Sequence, residues 1–124
     1  MDMPIEFLAR VGRSDTEALR EYASHRLSFV GRRFRHRVSH LTVRVVDVNG
    51  PRRGVDSRCS IAADLVDGGR LFVEASAVLP FAAIALATRR LDDALRRETG
   101  RHADRRRASS GAYRDRPNGA TWMS

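Results

Sequence analysis

The sequence predicts an α+β sandwich, a four-stranded sheet with two amphipathic helices packed on one face, in the order β-α-β-β-β-α. Two segments repeat apolar residues at three- and four-residue steps, four others alternate apolar with polar residues, and clusters of Gly, Pro, Asn and Asp separate them. With 124 residues and 42% hydrophobic content, the chain has apolar surface for one core and too little for two. The expected organisation is one domain over residues 1–101, followed by a disordered Arg/Gly/Ser-rich tail over 102–124.

The first strand is expected from Pro4 to Arg10, with Ile5, Phe7 and Ala9 on one side and Glu6, Leu8 and Arg10 on the other. After the turn residues Gly12 and Arg13, Ser14-Asp15-Thr16-Glu17 fits a capping box in which the Ser14 hydroxyl accepts from the Glu17 amide. Leu19, Tyr22, Ala23, Leu27, Val30 and Phe34 then form one apolar stripe, with Arg20, Arg26, Arg32, Arg33 and Arg35 largely off it. Leu41 to Val48 alternates Leu41, Val43 and Val45 against Thr42, Arg44 and Val46, which reads as a strand ended by Asn49-Gly50-Pro51. Arg58 to Leu65 sets Cys59, Ile61, Ala63 and Leu65 inward. Asp67-Gly68-Gly69 turns it into Arg70 to Ser76, with Leu71, Val73 and Ala75 inward, so these strands should form an antiparallel meander.

The second helix should start at Pro80, a residue suited to the first helical position. Its stripe is Phe81, Ile84, Ala87, Leu91 and Leu95, with Arg89, Arg90, Arg96 and Arg97 beside it. Gly100 is expected to end or weaken this helix, and the like-charge run Arg105-Arg106-Arg107 belongs to the tail.

Charge is the dominant compositional signal. The formal balance is +8, and all 23 basic side chains are Arg, with no Lys. Such a surface attracts polyanions, and guanidinium groups add bidentate phosphate contacts. An anionic membrane is disfavoured because no stretch pairs bulky apolar residues with a fully basic face, and none approaches the roughly 18 apolar residues of a spanning helix. With no secretory signal, the expected location is the cytoplasm.

Residues for chemistry are sparse. Cys59 is the lone cysteine, which excludes an internal disulfide and reads as a small buried hydrophobe. His36 and His40 have a helical ligand spacing but no third ligand, and the serines lack a base at a recognisable spacing. Asp92-Asp93 reads as a salt-bridged surface rather than an acid pair. No catalytic residue, metal, cofactor or small-molecule substrate is expected. Only Phe72 is an aromatic candidate on the outer sheet face, so recognition should rest on phosphates and shape.

The segments Ser14-Asp15-Thr16-Glu17-Ala18-Leu19-Arg20-Glu21-Tyr22 with Arg26-Leu27, and Phe81-Ala82-Ala83-Ile84 with Arg90-Leu91, resemble the short ribosome hibernation-promoting factors, also called ribosome-associated inhibitors or sigma-54 modulation proteins. Element order and turn positions match over roughly residues 4–101. The resemblance implies a translation inhibitor that is a monomer off the ribosome. It would bind rRNA in the decoding region of the small subunit, and block mRNA and tRNA sites under stress. Its RNA-contacting positions fall on Arg26, Arg32, Arg90, Arg97 and Arg101. Arg96 extends the patch, and Arg33 and Arg89 complete the basic flanks of the two helices. Relatives start the second helix with an acidic cap where this chain has Leu79-Pro80-Phe81, so a frayed start is expected; Ala85 and Asp93 also depart from the pattern. The added carboxyl-terminal domain of long members is not expected, because the residues after Gly100 are few and polar. Two other classes remain open: a general double-stranded RNA binder or RNA chaperone, and a regulatory module for an acidic protein partner.

Overall fold

The computed structural model describes residues 4–11, 15–47 and 57–111, with backbone only at 102 and 104–111. The order is β1 (Ile5–Arg10), α1 (Thr16–Arg33), β2 (Val38–Asp47), β3 (Ser57–Leu65), β4 (Arg70–Ala77) and α2 (Pro80–Gly111). The four strands form one sheet in the order β1-β2-β3-β4, with β1 parallel to β2 and the other pairs antiparallel. The meander is thus β2-β3-β4, and α1 supplies the crossover that a parallel β1–β2 pair requires.

Alternation decides which sheet face is covered. Phe7, Val43, Ile61 and Val73 lie in one cross-strand row; the first three are buried and Val73 packs against the core. Both helices lay their apolar stripes on that face: Leu19, Ala23, Leu27 and Val30 from α1, and Ala83, Ile84, Ala87, Leu91 and Leu95 from α2. Cys59 is fully buried in β3, as its place in the alternation implies.

Three boundaries differ from the sequence reading, each for a local reason. The α1 cap is Asp15, whose Oδ1 accepts from the Glu17 amide at 3.0 Å and the Ala18 amide at 3.3 Å; Ser14 lies outside the described residues. A carboxylate here also meets the positive end of the helix dipole. Strand β2 starts three residues before Leu41, because a register shift between Val38 and His40 turns both Val38 and Leu41 inward. That spacing of three breaks simple alternation. The start of α2 lies at Pro80, where the sequence reading places it: the first helical hydrogen bond runs from the Ala83 amide to the Leu79 carbonyl at 3.0 Å, and the Phe81 ring meets Tyr22 edge-to-face at 5.2 Å. Finally, α2 continues through Gly100 to Gly111, so the boundary expected at 101/102 falls inside a helix. One helical Gly costs about 1 kcal/mol against Ala, which flanking helix formers offset. Residues 112–124 lie outside the described residues.

The β3–β4 turn shows where glycine is required. Gly68 has φ 99°, the Gly69 amide donates to Asp67 Oδ1 at 3.1 Å, and the Leu65 amide donates to the Gly69 carbonyl at 2.7 Å. Beside this turn the buried Arg37 reaches Asp67 Oδ2 at 3.3 Å and Glu98 Oε2 at 3.1 Å. One guanidinium therefore ties the end of α1, the β3–β4 turn and the middle of α2 together.

Candidate nucleic-acid interface

The two helices lie side by side on the sheet, and a groove runs between them. Its α1 wall is Tyr22, His25, Arg26, Phe29, Val30 and Arg33; its α2 wall is Thr88, Arg89, Asp92, Asp93 and Arg96. Both walls follow from helical spacing, since residues three, four and seven apart share a face. Tyr22 against Phe81 closes one end. Across the groove, Arg33 Nη1 donates to Asp92 Oδ1 at 2.9 Å and Oδ2 at 3.2 Å.

The groove holds four arginines against two aspartates, so its net sign is positive, but the charges are not all free. Asp92 also faces Arg96 Nε at 3.4 Å, and Arg96 Nη2 donates to Asp93 Oδ1. Arg26 is oriented by the Tyr22 hydroxyl, 3.4 Å from its Nη1, with its guanidinium over the Tyr22 ring. Arg89 is exposed and has no hydrogen bond or ion pair among the described residues. These pairs are largely solvent-exposed and individually weak, so a phosphate can compete for the guanidinium groups with little loss of folding energy.

Of the eight arginines singled out by the sequence, Arg26, Arg33, Arg89 and Arg96 line this groove. Arg32 sits at its rim, its guanidinium 5.0 Å from the Phe29 ring centroid. Arg90, Arg97 and Arg101 share the other exposed flank of α2, turned by about 100° from Arg89. There Arg90 Nη1 donates to the Glu74 carbonyl at 2.6 Å, Arg101 Nη2 donates to Glu98 Oε1 at 3.1 Å, and Arg97 has no polar partner among the described residues. The eight therefore form a groove and an adjoining flank rather than one flat patch.

Sequence reasoning missed the aromatic part of the site. Phe29 is 52% exposed, flanked by His25 edge-on at 5.2 Å and by Arg32. An aromatic off the apolar stripe of α1 and within four residues of His25 and Arg32 was the available signal.

The pattern of the family described as Sigma 54 modulation protein / S30EA ribosomal protein matches residues 13–103. The chain belongs to that family. The fold is similar to the crystal structure of the Thermus thermophilus Protein Y N-terminal domain, with 28% identity and a TM-score of 0.57 over 77% of this chain and 98% of that one. It is also similar to a ribosomal subunit interface protein from Coxiella burnetii, with 18% identity and a TM-score of 0.63 over 79% of this chain and 99% of that one; at that identity the likeness concerns the fold. No curated protein matches the sequence.

Sigma 54 modulation / S30EA proteins are ribosome-associated factors and not a family of enzymes, and the polar clusters of this member have structural explanations. His40 Nδ1 lies 3.5 Å from Asp64 Oδ2, and Arg70 Nε donates to Asp64 Oδ1 at 2.7 Å. The Arg70 hydrogen bond holds the Asp64 carboxyl below its ordinary range. Burial pushes the Cys59 thiol up to about 12, which leaves it protonated and unreactive near neutrality. Among the described residues no group of three or more His, Cys, Asp or Glu is placed to hold a metal ion. No described helix is long and apolar enough to cross a membrane.

Proposed function

We propose that this chain is a translation inhibitor that binds the small ribosomal subunit through the α1–α2 face. Its arginines neutralise rRNA phosphates in the decoding region, and its folded body occupies the path of mRNA and tRNA. The observation that carries this reading is the groove itself, where Arg26, Arg33, Arg89 and Arg96 converge from two helices beside the exposed Phe29. Membership of a ribosomal-protein family supports the ribosome as the target. The arginines of the adjoining flank, Arg90, Arg97 and Arg101, would engage a second phosphate run along the same helix. On this reading the protein acts in the cytoplasm as a monomer and needs no cofactor.

The cleanest test uses Arg89 and Arg97, because neither has a polar partner whose loss would disturb the fold. Arg89→Glu with Arg97→Glu should leave the melting temperature unchanged and strongly reduce co-sedimentation with purified small subunits. Added to a translation extract in place of the unmodified chain, it should no longer inhibit synthesis. Undiminished sedimentation would refute the interface. Equal affinity for naked duplex RNA and for small subunits would favour a general RNA binder instead.

A further inference from the structure

The opposite face of the sheet carries a second cationic cluster, whose arginines are unpaired among the described residues. Arg10 and Arg58 lie in one cross-strand row on either side of Val46, and Arg44 lies two residues along β2 from Val46. Strand spacing puts Arg10 and Arg58 roughly 10 Å apart, with Arg44 about 7 Å from Val46 along the strand. All three are exposed, and none has a hydrogen bond or ion pair among the described residues. Among the carboxylates of this face, Asp64 is held by Arg70 and His40 at the far end of the sheet. Glu74 lines the same depression and keeps its charge, accepting from the Ser60 hydroxyl at 3.4 Å, and Glu6 lies beyond Leu8 on the edge strand, so the three arginines outnumber the two carboxylates that no arginine holds.

The same face presents Phe72, 61% exposed. Its cross-strand neighbour is Ala62, with Thr42 next in the row, so small side chains leave the ring open. Phe72 makes no ring or cation contact among the described residues. The core lies on the other side of the sheet, so this ring contributes nothing to it. Shallow depressions lined by Arg44, Val46, Arg58, Phe72 and, beside them, Arg10 connect the ring with the cluster.

We propose that the outer sheet face binds single-stranded RNA, with Arg10, Arg44 and Arg58 following its phosphates and Phe72 stacking an unpaired base. An unpaired cation triad gives the complementary charge for phosphates. The open ring selects a strand whose bases are unstacked over a duplex or an acidic peptide, because stacking is what an aromatic platform adds to charge. This face is separated from the α1–α2 groove by the thickness of the sheet and the helix layer. One molecule can thus hold two RNA segments, and the proposal stands independently of the groove.

The test is fluorescence anisotropy with a labelled oligoribonucleotide of about ten nucleotides, in the Arg89→Glu/Arg97→Glu chain so that the helix face contributes little. Substituting Arg10, Arg44 and Arg58 by Gln should weaken binding at least tenfold and flatten the log K against log salt line by about 2, the value for three phosphates on a single strand. Phe72→Ala should weaken it at least about fivefold, and a duplex of the same sequence should bind less tightly than the single strand. If the triple variant melts lower, the single Arg58→Gln and Phe72→Ala variants decide the matter in the same assay. Binding insensitive to these substitutions overturns the proposal. So does a silent Phe72→Ala, or equally effective displacement by polyglutamate, either of which would mark the face as an unselective anion attractor.

Discussion

Asp92 sits between Arg33 and Arg96 in the α1–α2 groove, and replacing it with Asn should tighten RNA binding. In the free protein the carboxylate accepts from Arg33 Nη1 at 2.9 and 3.2 Å and lies 3.4 Å from Arg96 Nε. A phosphate taken up by Arg33 on its open side would lie roughly 6 Å from that carboxylate. Two unit charges at that distance repel by about 0.7 kcal/mol at the dielectric of water and by about 3 kcal/mol at the effective value near a protein surface. Removing the repulsion therefore predicts affinity about threefold higher at the least, with salt screening keeping the gain near that lower figure. The stability cost should not exceed about 1 kcal/mol, because the Arg33 and Asp92 side chains are 58% and 21% exposed. Asn also keeps one oxygen acceptor for Arg33. The assay is binding to purified small subunits across a salt series, with urea unfolding run in parallel. An intact Asp92→Asn protein that binds no better than the parent, or worse, refutes the idea that Asp92 competes with phosphate for these guanidiniums.

Other expectations concern the scaffold. Leu91→Ala should destabilise by about 2–5 kcal/mol in urea unfolding, since Leu91 is fully buried on the core side of α2; a change below 1 kcal/mol would show that α2 is not held by this contact. Gly68→Ala should cost about 1–2 kcal/mol, all of it backbone, because φ is 99° and a Cβ there would meet nothing within 4 Å; a neutral substitution would contradict that conformation. Glu98→Ala should cost about 3 kcal/mol, near the lower bound for a broken buried ion pair because Asp67 remains with Arg37; full stability in thermal melts would argue against the three-way tie. The Cys59 thiol is raised in the folded state from 9.0 to about 12, so the protonated form favours folding below pH 9. That stability should fall by about 1.4 kcal/mol per pH unit as pH rises from 9 towards 12. Iodoacetamide at pH 8 should label Cys59 only after denaturation, and rapid labelling of the native protein would contradict its burial.

The fold was legible because burial has a period. Residues such as Phe7, Val43, Cys59 and Leu91 each sit where alternation or helical repetition places them. The misplaced boundaries involve interactions that lie outside any period: a carboxylate one residue along taking the α1 cap, a bulge letting Val38 and Leu41 face the same way, and good helix formers carrying α2 past Gly100. Arg37 was invisible for a related reason, since its partners Asp67 and Glu98 are 30 and 61 residues away in sequence. At the candidate site, helical spacing correctly separated arginines from the apolar stripes. It gave no means of seeing that Arg33 and Arg96 share Asp92, or that Arg90 would turn to the β4 carbonyl of Glu74. Those partnerships depend on how the two helices and the sheet edge meet.

Directed hydroxyl-radical cleavage tests the groove's role most directly. His25 lines the groove, and buried Cys59 does not compete for a thiol reagent, so an iron chelate can be attached to His25→Cys in the otherwise natural chain. In the complex with small subunits, cuts should cluster in the rRNA strands that line the mRNA and tRNA path. Cuts confined to the solvent side of the subunit, or none while the protein remains bound, would mean that the α1–α2 groove faces away from the decoding region.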